Sequence, residues 1–246
     1  MSAHDIKLFG DQIAATRLEG RFARVKASSL LRLAIEDLFP GRIALVSSFG
    51  ADAAALLHMV AQVDRATPVI FVDTGQHFPE TLAYRDDLVA SLGLTDVRSA
   101  TPDAATVAEE DPEKWLFASD PDRCCEIRKI RPLAVAMEGF DAWITGRKAF
   151  QSATRATLPL FEAEGERVKV NPLVGWSATD VLAYIREAGL PRHPLVAKGF
   201  PSIGCNPCTS MVMAGEDERA GRWRGKAKTE CGIHLGALSL DAGADI

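Results

Sequence analysis

The sequence predicts an α/β protein whose mostly parallel, twisted sheet is flanked by helices. Short apolar runs indicate strands covered on both faces, and segments with apolar residues three and four positions apart indicate helices between them. Strands that alternate with helices form parallel sheets with right-handed crossovers. The chain has 246 residues, 47% of them apolar, which is enough for one sizeable core. A ligand is expected beyond the carboxyl ends of the strands.

The individual elements follow from these patterns and from residues typical of helix ends. Pro79 suits the first turn of a helix, Gly93 suits a helix C-terminus, and Ser177 with Asp180 resembles a capping box. In chain order the sequence predicts a helix over Ser28–Phe39, a strand over Ile43–Val46, a helix up to Val60, a strand over Val69–Val72, a helix over Pro79–Leu92, strands over Val97–Ser99, Ala142–Thr145 and Val168–Asn171, and a helix from Ser177 to near Gly189.

Composition and charge exclude several classes of protein. The net charge is −5, so no general nucleic-acid surface is indicated. No apolar run approaches the roughly 20 residues of a membrane span, and the N-terminus lacks the apolar stretch of a signal peptide. We therefore expect a cytoplasmic protein with neither a membrane nor a nucleic acid as partner. The oligomeric state stays open, a homo-oligomer included.

Five cysteines carry the strongest chemical signal in the chain. Cys124 and Cys125 are adjacent, Cys205 and Cys208 are spaced as Cys-x-x-Cys, and Cys231 stands alone in Glu-Cys-Gly. Structural disulfides are not expected in a cytosolic chain. Cys-x-x-Cys suits structural zinc, but adjacent cysteines suit it less well than the separate iron corners of a [4Fe–4S] cluster. A thioredoxin-like redox pair is a third interpretation, although Cys205 lies in a predicted loop rather than at the start of a helix.

Polar turns follow three of the predicted strands. Such turns let a ligand approach the backbone closely, and their N–H groups and the helix that follows favour an anion. Because the strand ends meet at one edge of a parallel sheet, these turns predict a shared nucleotide- or anion-binding crevice. The residues concerned are Ser47, Ser48, Phe49 and Gly50 after the first strand, Asp73, Thr74 and Gly75 after the second, and Gly146 and Arg147 after the fourth.

Taken together, these motifs resemble those of the assimilatory sulfonucleotide reductases, in particular the iron–sulfur type that acts on adenosine 5′-phosphosulfate. The resemblance covers most of the chain, from about Ser47 to Gly236. One position departs from the family pattern, since Arg-Arg-Asp-Gln is replaced here by Arg147-Lys148-Ala149-Phe150-Gln151. The matching segments are Ser-Ser-Phe-Gly-Ala-Asp, Asp-Thr-Gly-x-x-Phe-Pro-Glu-Thr, Cys-Cys-Glu-Ile-Arg-Lys, Thr-Gly-Arg, Gln-Ser-x-x-Thr-Arg, Cys-x-x-Cys and Glu-Cys-Gly-Ile-His.

The resemblance implies a modified ATP-pyrophosphatase fold of the adenine nucleotide alpha hydrolase type. It also implies a [4Fe–4S] cluster on Cys124, Cys125, Cys205 and Cys208, and thioredoxin as electron donor. The products would be AMP and sulfite. Relatives that use the 3′-phosphorylated substrate usually lack the paired cysteines, so the substrate expected here has a free 3′-hydroxyl.

Cys231 is the expected nucleophile, forming an S-sulfocysteine intermediate, because the other four cysteines are assigned to the cluster. A thiolate near neutral pH needs positive charge beside it, and a basic run lies close in sequence. Lys129 is placed by helical spacing on the face of Cys125 and is expected to address both the cluster and the bound anion. The substrate-binding residues expected outside the strand ends are Lys129, Arg155, Arg219, Arg222 and His234.

Other interpretations of the motifs stay open at this point. One is a reductase for 3′-phosphoadenosine 5′-phosphosulfate. Another is an ATP-pyrophosphatase-type enzyme with structural zinc, although its usual Ser-Gly-Gly-x-Asp-Ser loop is absent. A third is a non-catalytic iron–sulfur or zinc module, which leaves Glu230-Cys231-Gly232 unexplained. A brown or a colourless purified protein would separate iron–sulfur from zinc.

The division of the chain follows from the same chemistry. Residues 1–213 are expected to form a single α/β domain that carries the cluster, and residues 214–246 a flexible C-terminal catalytic segment. Its glycines and charges leave little apolar surface to hold it, so the part from Ala214 to Leu235 is expected to be mobile. Motion would let Cys231 serve first the bound substrate and then a second protein.

Overall fold

A six-stranded sheet forms the centre of the computed structural model, which describes residues 11–22, 25–151, 155–226, 228 and 230–234. The strands lie in the order β3-β2-β1-β4-β6-β5, and neighbouring strands are parallel except for the antiparallel pair β5 and β6. Their bounds are Ile43–Ser47 (β1), Val69–Val72 (β2), Val97–Ala100 (β3), Ala142–Ile144 (β4), Phe161–Glu164 (β5) and Arg167–Val170 (β6). The mostly parallel α/β fold expected from the sequence is therefore confirmed.

Helices connect these strands and cover both faces of the sheet. The α-helices span Asp11–Phe22, Ala27–Arg32, Ala53–Val63, Pro79–Leu92, Ala104–Glu110, Leu116–Ser119, Pro121–Cys125, Arg131–Ala136 and Ala178–Glu187. Two π-helical turns lie at Leu33–Leu38 and Glu126–Ile130, and short 3₁₀ helices lie at Ala149–Gln151, Pro194–Lys198, Asn206–Cys208 and Gly232–His234. Within the described part of the chain, no helix has the length and apolar character needed to cross a membrane.

Local sequence signals set several of these bounds. Strand β2 and the helix Pro79–Leu92 begin and end where the sequence predicts, and Gly93 ends that helix with a φ of 64°. Both hydrogen bonds of the capping box between Ser177 and Asp180 are present. The helix predicted over Ser28–Phe39 differs in detail. It is α-helical over Ala27–Arg32 and then continues as a π-helical turn.

Strand β5 was not predicted, because its sequence is too polar to look like a strand. Glu164 is nonetheless buried, and it forms an ion pair with the fully buried Lys169 on β6. Lys169 also donates to Glu162, whose Oε1 lies 3.0 Å from its Nζ. A pair of charges across a hairpin thus replaces the apolar pattern on which the prediction depended.

The core lies on both faces of the central strands. Ile43 and Leu45 of β1 belong to the larger apolar cluster, and Ala44 belongs to a second cluster with Trp143. Since β1 lies between β2 and β4, the carboxyl ends of these three strands meet at one edge of the sheet. The predicted polar turns therefore lie next to one another.

A buried histidine makes the stability of this fold depend on pH. The side chain of His193 is buried, its Nδ1 accepts from the Leu195 N–H at 3.2 Å, and its Nε2 lies 3.0 Å from Thr81 Oγ1. Burial lowers the pKa of His193 to about 4, although the charge of Glu80 acts in the opposite direction. The neutral ring is thus the form that the folded protein holds.

We expect the unfolded chain to take up a proton on His193 before the folded protein does. The contribution of His193 to the free energy of unfolding is therefore complete above its ordinary pKa of about 6.5. This contribution is lost as the pH falls from there towards 4. Between about pH 7.5 and pH 5 the loss should be on the order of 2 kcal/mol. Urea unfolding of the native protein and of His193→Gln at both pH values measures it. A pH dependence as steep in the variant as in the native protein would contradict the assignment.

Candidate active site

A cavity of about 230 Å³ opens at the edge of the sheet where β1, β2 and β4 end. Residues expected from the strand ends and from the C-terminal segment meet there. The expected residues on its wall are Ser47, Ser48, Gly50, Thr74, Lys129, Gly146, Arg147, Arg155, Cys205, Arg219, Arg222 and Cys231. The wall also includes residues that were not among the expected substrate-binding residues, namely Asp52, His77, Lys148, Gln151, Glu218, Trp223, Glu230 and Ile233.

The loop after β1 holds its backbone against the cavity. Ser47 Oγ accepts from the Phe49 N–H at 3.1 Å, and Phe49 has a φ of 49°. This conformation turns the Phe49 side chain into the core, where it is fully buried and packs edge-on against Phe71 at 5.6 Å. Phe49 was expected among the substrate-binding residues, but it does not line the cavity. Its ring anchors the loop from below because an apolar side chain gains most by burial.

The loop after β2 is shaped by Asp73 and Gly75, although neither lines the cavity. Asp73 Oδ1 accepts from the Gly75 N–H at 3.0 Å, and Gly75 has a φ of 68°. This turn presents Thr74, whose Oγ1 lies 3.3 Å from Cys205 Sγ. The Thr74 carbonyl accepts from buried Arg128 at 3.0 Å. The loop thus joins the strand end to the second cysteine pair.

Two basic residues after β4 have carboxylate partners in the structure. Arg147 Nη2 lies 2.7 Å from Glu162 Oε2, and Lys148 Nζ lies 3.0 Å from Asp52 Oδ2. Lys148 is buried on the cavity wall and also donates to the Gly146 carbonyl at 3.2 Å. It lies in the segment that departs from the family pattern. Its position directly after Thr145-Gly146-Arg147 was the feature of the sequence that could have indicated a place for Lys148 in the site.

Arg155 forms the best-aligned ion pair on the wall. Its Nε and Nη2 lie 2.7 Å from the two carboxylate oxygens of Glu230, in a two-pronged contact. Arg219 Nη2 approaches the same carboxylate at 3.4 Å. Burial lowers the pKa of Arg219 to about 10, and the charge of Glu230 acts against that shift. Glu230 directly precedes Cys231 in the chain, and this position was the feature of the sequence that could have placed Glu230 in the site.

Lys129 and Arg222 are the basic wall residues that have no carboxylate partner within the described ranges. Arg222 lies over the Trp223 ring at 4.5 Å, and its buried Nε has no hydrogen-bond partner there. Gly204 makes room for it, since a Cβ on Gly204 would lie 2.2 Å from Arg222 Nη2. Burial disfavours the charge on Lys129, but nearby cysteine sulfurs, those of Cys205 and Cys231 foremost, raise its pKa.

Cys231 lies on the same wall and is polarised by its neighbours. Its pKa is lowered well below the ordinary value, chiefly by the hydrogen bond from the Cys125 thiol, and Lys129 and Arg222 act in the same direction. The Cys125 pKa is raised by the same hydrogen bond and by burial. The positive charges of Lys129 and Arg222 favour a thiolate at Cys231 whether or not Cys125 carries its proton.

The two cysteine pairs come from separate segments that fold towards each other. Cys124 and Cys125 end the helix Pro121–Cys125, while Cys205 directly precedes the 3₁₀ turn Asn206–Cys208 and Cys208 ends it. The Asn206 N–H donates to the Gln76 carbonyl at 2.8 Å, which fixes the second pair to the loop after β2. Burial raises the pKa of Cys124 to about 11, and the nearby Cys205 adds to the rise.

The donor chemistry of this region fits a four-iron cluster. All four side chains offer sulfur, and Cys205 Sγ lies 3.3 Å from the Thr74 hydroxyl. Four thiolates provide one ligand for each iron of such a cluster.

The basic run near the C-terminus is divided between the cavity and the surface. Arg219 and Arg222 line the cavity, whereas Arg224 pairs with Glu216 on the surface at 2.8 Å. Lys226 donates to the Phe117 carbonyl at 2.6 Å, and Lys228 forms an ion pair with Asp122. His234 belongs to the 3₁₀ turn Gly232–His234. Leu235, the end of the segment expected to be mobile, lies outside the described residues.

Comparisons with known proteins show similarity over most of the chain. Residues 42–211 match the family described as phosphoadenosine phosphosulfate reductase domain. The chain is 51% identical over 226 residues to adenosine 5′-phosphosulfate reductase of Mesorhizobium japonicum, covering 92% of this chain and 89% of that protein. It is 42% identical over 212 residues to the protein of the same name from Streptomyces coelicolor, covering 85% and 88%.

Solved structures extend the comparison to the fold. Phosphoadenylyl-sulfate reductase from Candida auris, in a phosphate complex, is similar with a TM-score of 0.70 and 27% identity, covering 82% of this chain and 98% of that one. Yeast FAD synthetase, solved with FAD, is similar with a TM-score of 0.50 and 14% identity, covering 80% and 74%. The second likeness concerns the fold alone.

Proposed function

The chain belongs to the phosphoadenosine phosphosulfate reductase domain family, and from this premise we propose that it reduces adenosine 5′-phosphosulfate to sulfite and AMP. The reaction would serve assimilatory sulfate reduction and cysteine biosynthesis. One observation carries the proposal: Cys231 lies on the wall of a cavity beside Lys129 and Arg222, two cations without a carboxylate partner among the described residues. A nucleophile and an anion site are thus held together.

The nucleotide would occupy the cavity at the strand ends. The loops after β1, β2 and β4 offer backbone N–H groups and small residues, which suit a phosphate and its ribose. The sulfate would be held beside Cys231 by Lys129 and Arg222, whose charges favour an anion there. We propose that the residues expected from the sequence bind the substrate. Asp73, Gly75 and Phe49 would act by shaping their loops, and His234 by its position in the turn Gly232–His234, which directly follows Cys231.

The first chemical step is an attack by the Cys231 thiolate on the sulfate sulfur. An S–S bond forms, the S–O bond to the phosphate breaks, and AMP leaves with the electron pair of that bond. Lys129 and Arg222 counter the negative charge that collects around the sulfur and on the leaving group. The product on the protein is an S-sulfocysteine at Cys231.

The second step needs a dithiol reductant, for which we propose thioredoxin. One of its thiolates attacks the Cys231 sulfur, the bond to the sulfo group breaks, and sulfite leaves. The second thiol of the reductant then resolves the mixed disulfide, so that two electrons pass to sulfur and Cys231 returns as a thiol. Residues 214–246 would act as the catalytic segment that carries Cys231 between the cavity and the reductant, beside a cluster-carrying domain over residues 1–213.

We propose that Cys124, Cys125, Cys205 and Cys208 hold a [4Fe–4S] cluster. When bound, the cluster would supply a fixed charge centre that ties the two cysteine segments together beside the anion site. The Thr74 hydroxyl, whose Oγ1 lies 3.3 Å from Cys205 Sγ, contacts one of these sulfurs. Five free cysteines agree with the reducing cytoplasm in which we place the protein.

We expect sulfite release in the presence of reduced thioredoxin, with adenosine 5′-phosphosulfate preferred over its 3′-phosphorylated form. The preference rests on the paired cysteines. The measurement is kcat/KM for sulfite release from each nucleotide at equal reductant concentration, with oxidised thioredoxin as the blank. A higher kcat/KM for the 3′-phosphorylated nucleotide would reverse the substrate assignment, and no sulfite from either nucleotide would contradict the proposed function.

A further inference from the structure

The cavity wall carries an anion that belongs to the protein itself. The Glu230 carboxylate contacts Arg155 through both of its oxygens at 2.7 Å, and one of them lies 3.4 Å from Arg219 Nη2. All three residues line the cavity. The side chains of Arg155 and Glu230 are each only 10% exposed, so the contact is largely withdrawn from water.

A carboxylate offers a guanidinium two oxygens, as a phosphate or a sulfate does, although the carboxylate is planar and the other two groups are tetrahedral. A guanidinium binds all three groups through two parallel N–H···O bonds. Arg155 Nε and Nη2 cannot form this contact with Glu230 and with a substrate anion at the same time, and Arg155 Nη1 lies 2.6 Å from Gln151 Oε1. We propose that Glu230 is an internal competitor that occupies the anion contacts of Arg155 and Arg219 until the nucleotide displaces it. This inference rests on the proposed function, because it identifies the anion as the phosphosulfate group.

The position of Glu230 in the chain links the competition to the nucleophile. Glu230 directly precedes Cys231, so a shift of its carboxylate away from Arg155 moves the backbone beside the reacting sulfur. Occupancy of the anion site and position of Cys231 are then coupled through one peptide bond. The return of Glu230 to Arg155 would in turn favour release of AMP.

An alternative role for Glu230 makes the opposite prediction. If Glu230 remained on Arg155 and held it in place for the substrate, loss of its charge would weaken nucleotide binding, because the arginine would lose its orientation. If Glu230 competes, loss of its charge tightens binding. The direction of the change therefore decides between a competitor and a positioning residue.

The experiment uses the full cluster-containing protein in a Cys231→Ser background, which stops turnover. Adenosine 5′-phosphosulfate and AMP are titrated calorimetrically at about pH 8, with and without Glu230→Gln. We expect Glu230→Gln to lower the Kd of adenosine 5′-phosphosulfate about fivefold or more. An equal gain for AMP would assign the displaced contact to the phosphate, and a gain confined to the phosphosulfate would assign it to the sulfate.

Glu216→Gln is the matched control for a general effect of charge. Glu216 also forms a two-pronged contact with an arginine, Arg224, at 2.9 and 2.8 Å, but it lies on the surface outside the cavity lining. We expect a change below about twofold for Glu216→Gln, since the field of a charge outside the cavity is screened by water and salt. In an Arg155→Gln background, Glu230→Gln should lose most of its gain in affinity for adenosine 5′-phosphosulfate, because Arg155 and Glu230 are directly coupled.

The outcomes separate this inference from the proposed function. Weaker or unchanged binding in Glu230→Gln, or an equal gain in Glu216→Gln, would overturn the competitor role while the function stands. Failure of adenosine 5′-phosphosulfate to bind the Cys231→Ser protein at all would overturn the function first. If Glu230→Gln does not retain its cluster absorbance, Glu230→Asp is the second variant. It keeps the charge but shortens the side chain, and it should tighten binding by a smaller factor.

Discussion

We expect the Cys231→Ser protein to bind adenosine 5′-phosphosulfate but to release no measurable sulfite with reduced thioredoxin. A serine hydroxyl is scarcely ionised near neutral pH and is a poor partner for sulfur exchange. The loss in kcat should be at least about a thousandfold, or roughly 4 kcal/mol of transition-state stabilisation. The position of Cys231 on the cavity wall with the two cations of the anion site is the structural reason.

Two measurements make this result specific to the nucleophile. The iron content of Cys231→Ser should equal that of the native protein, and calorimetry should show bound nucleotide. Mass spectrometry of the native protein with substrate, in the absence of reductant, should show one added sulfo group on the peptide that contains Cys231. Thioredoxin-dependent sulfite release by the serine variant, or a sulfo group on another cysteine, would overturn the assignment.

The second large effect concerns the paired cysteines. We expect Cys205→Ala to lose most of its iron and visible colour, because four thiolates share the four irons of one cluster. Metal binding and folding are coupled, so the thermal midpoint should fall by several degrees. For a chain of this size, about 1 kcal/mol corresponds to roughly 2–4 °C. Iron analysis, the absorption spectrum and thermal unfolding measure the three effects.

Cys231→Ala is the matched control for this prediction, since it is the same substitution at the fifth cysteine. It should keep its iron and its thermal midpoint although it is inactive. Cys124→Ala, Cys125→Ala and Cys208→Ala should behave like Cys205→Ala. A full complement of iron and undiminished colour in Cys205→Ala would show that the four cysteines do not hold one cluster together.

Local sequence patterns determined most of the sheet and several helix ends. Strand β2 and the helix Pro79–Leu92 were predicted with the bounds that the structure has. The apolar run of the strand, and the Pro and Gly at the two ends of the helix, are patterns set by adjacent residues alone. The capping box at Ser177 is local for the same reason. The order of the polar strand ends also predicted that Ser47, Thr74 and Gly146 would share one cavity.

The tertiary structure alone decided how the charges of the site are paired. Nothing local indicates that Glu230 meets Arg155 or that Lys148 meets Asp52, since the partners are distant in the chain. Phe49 was assigned to the ligand by its loop, whereas the positive φ of that loop turns its ring into the core. A residue type and its neighbours specify which groups a site can contain, but the packing of distant segments decides which of those groups face the ligand and which face each other.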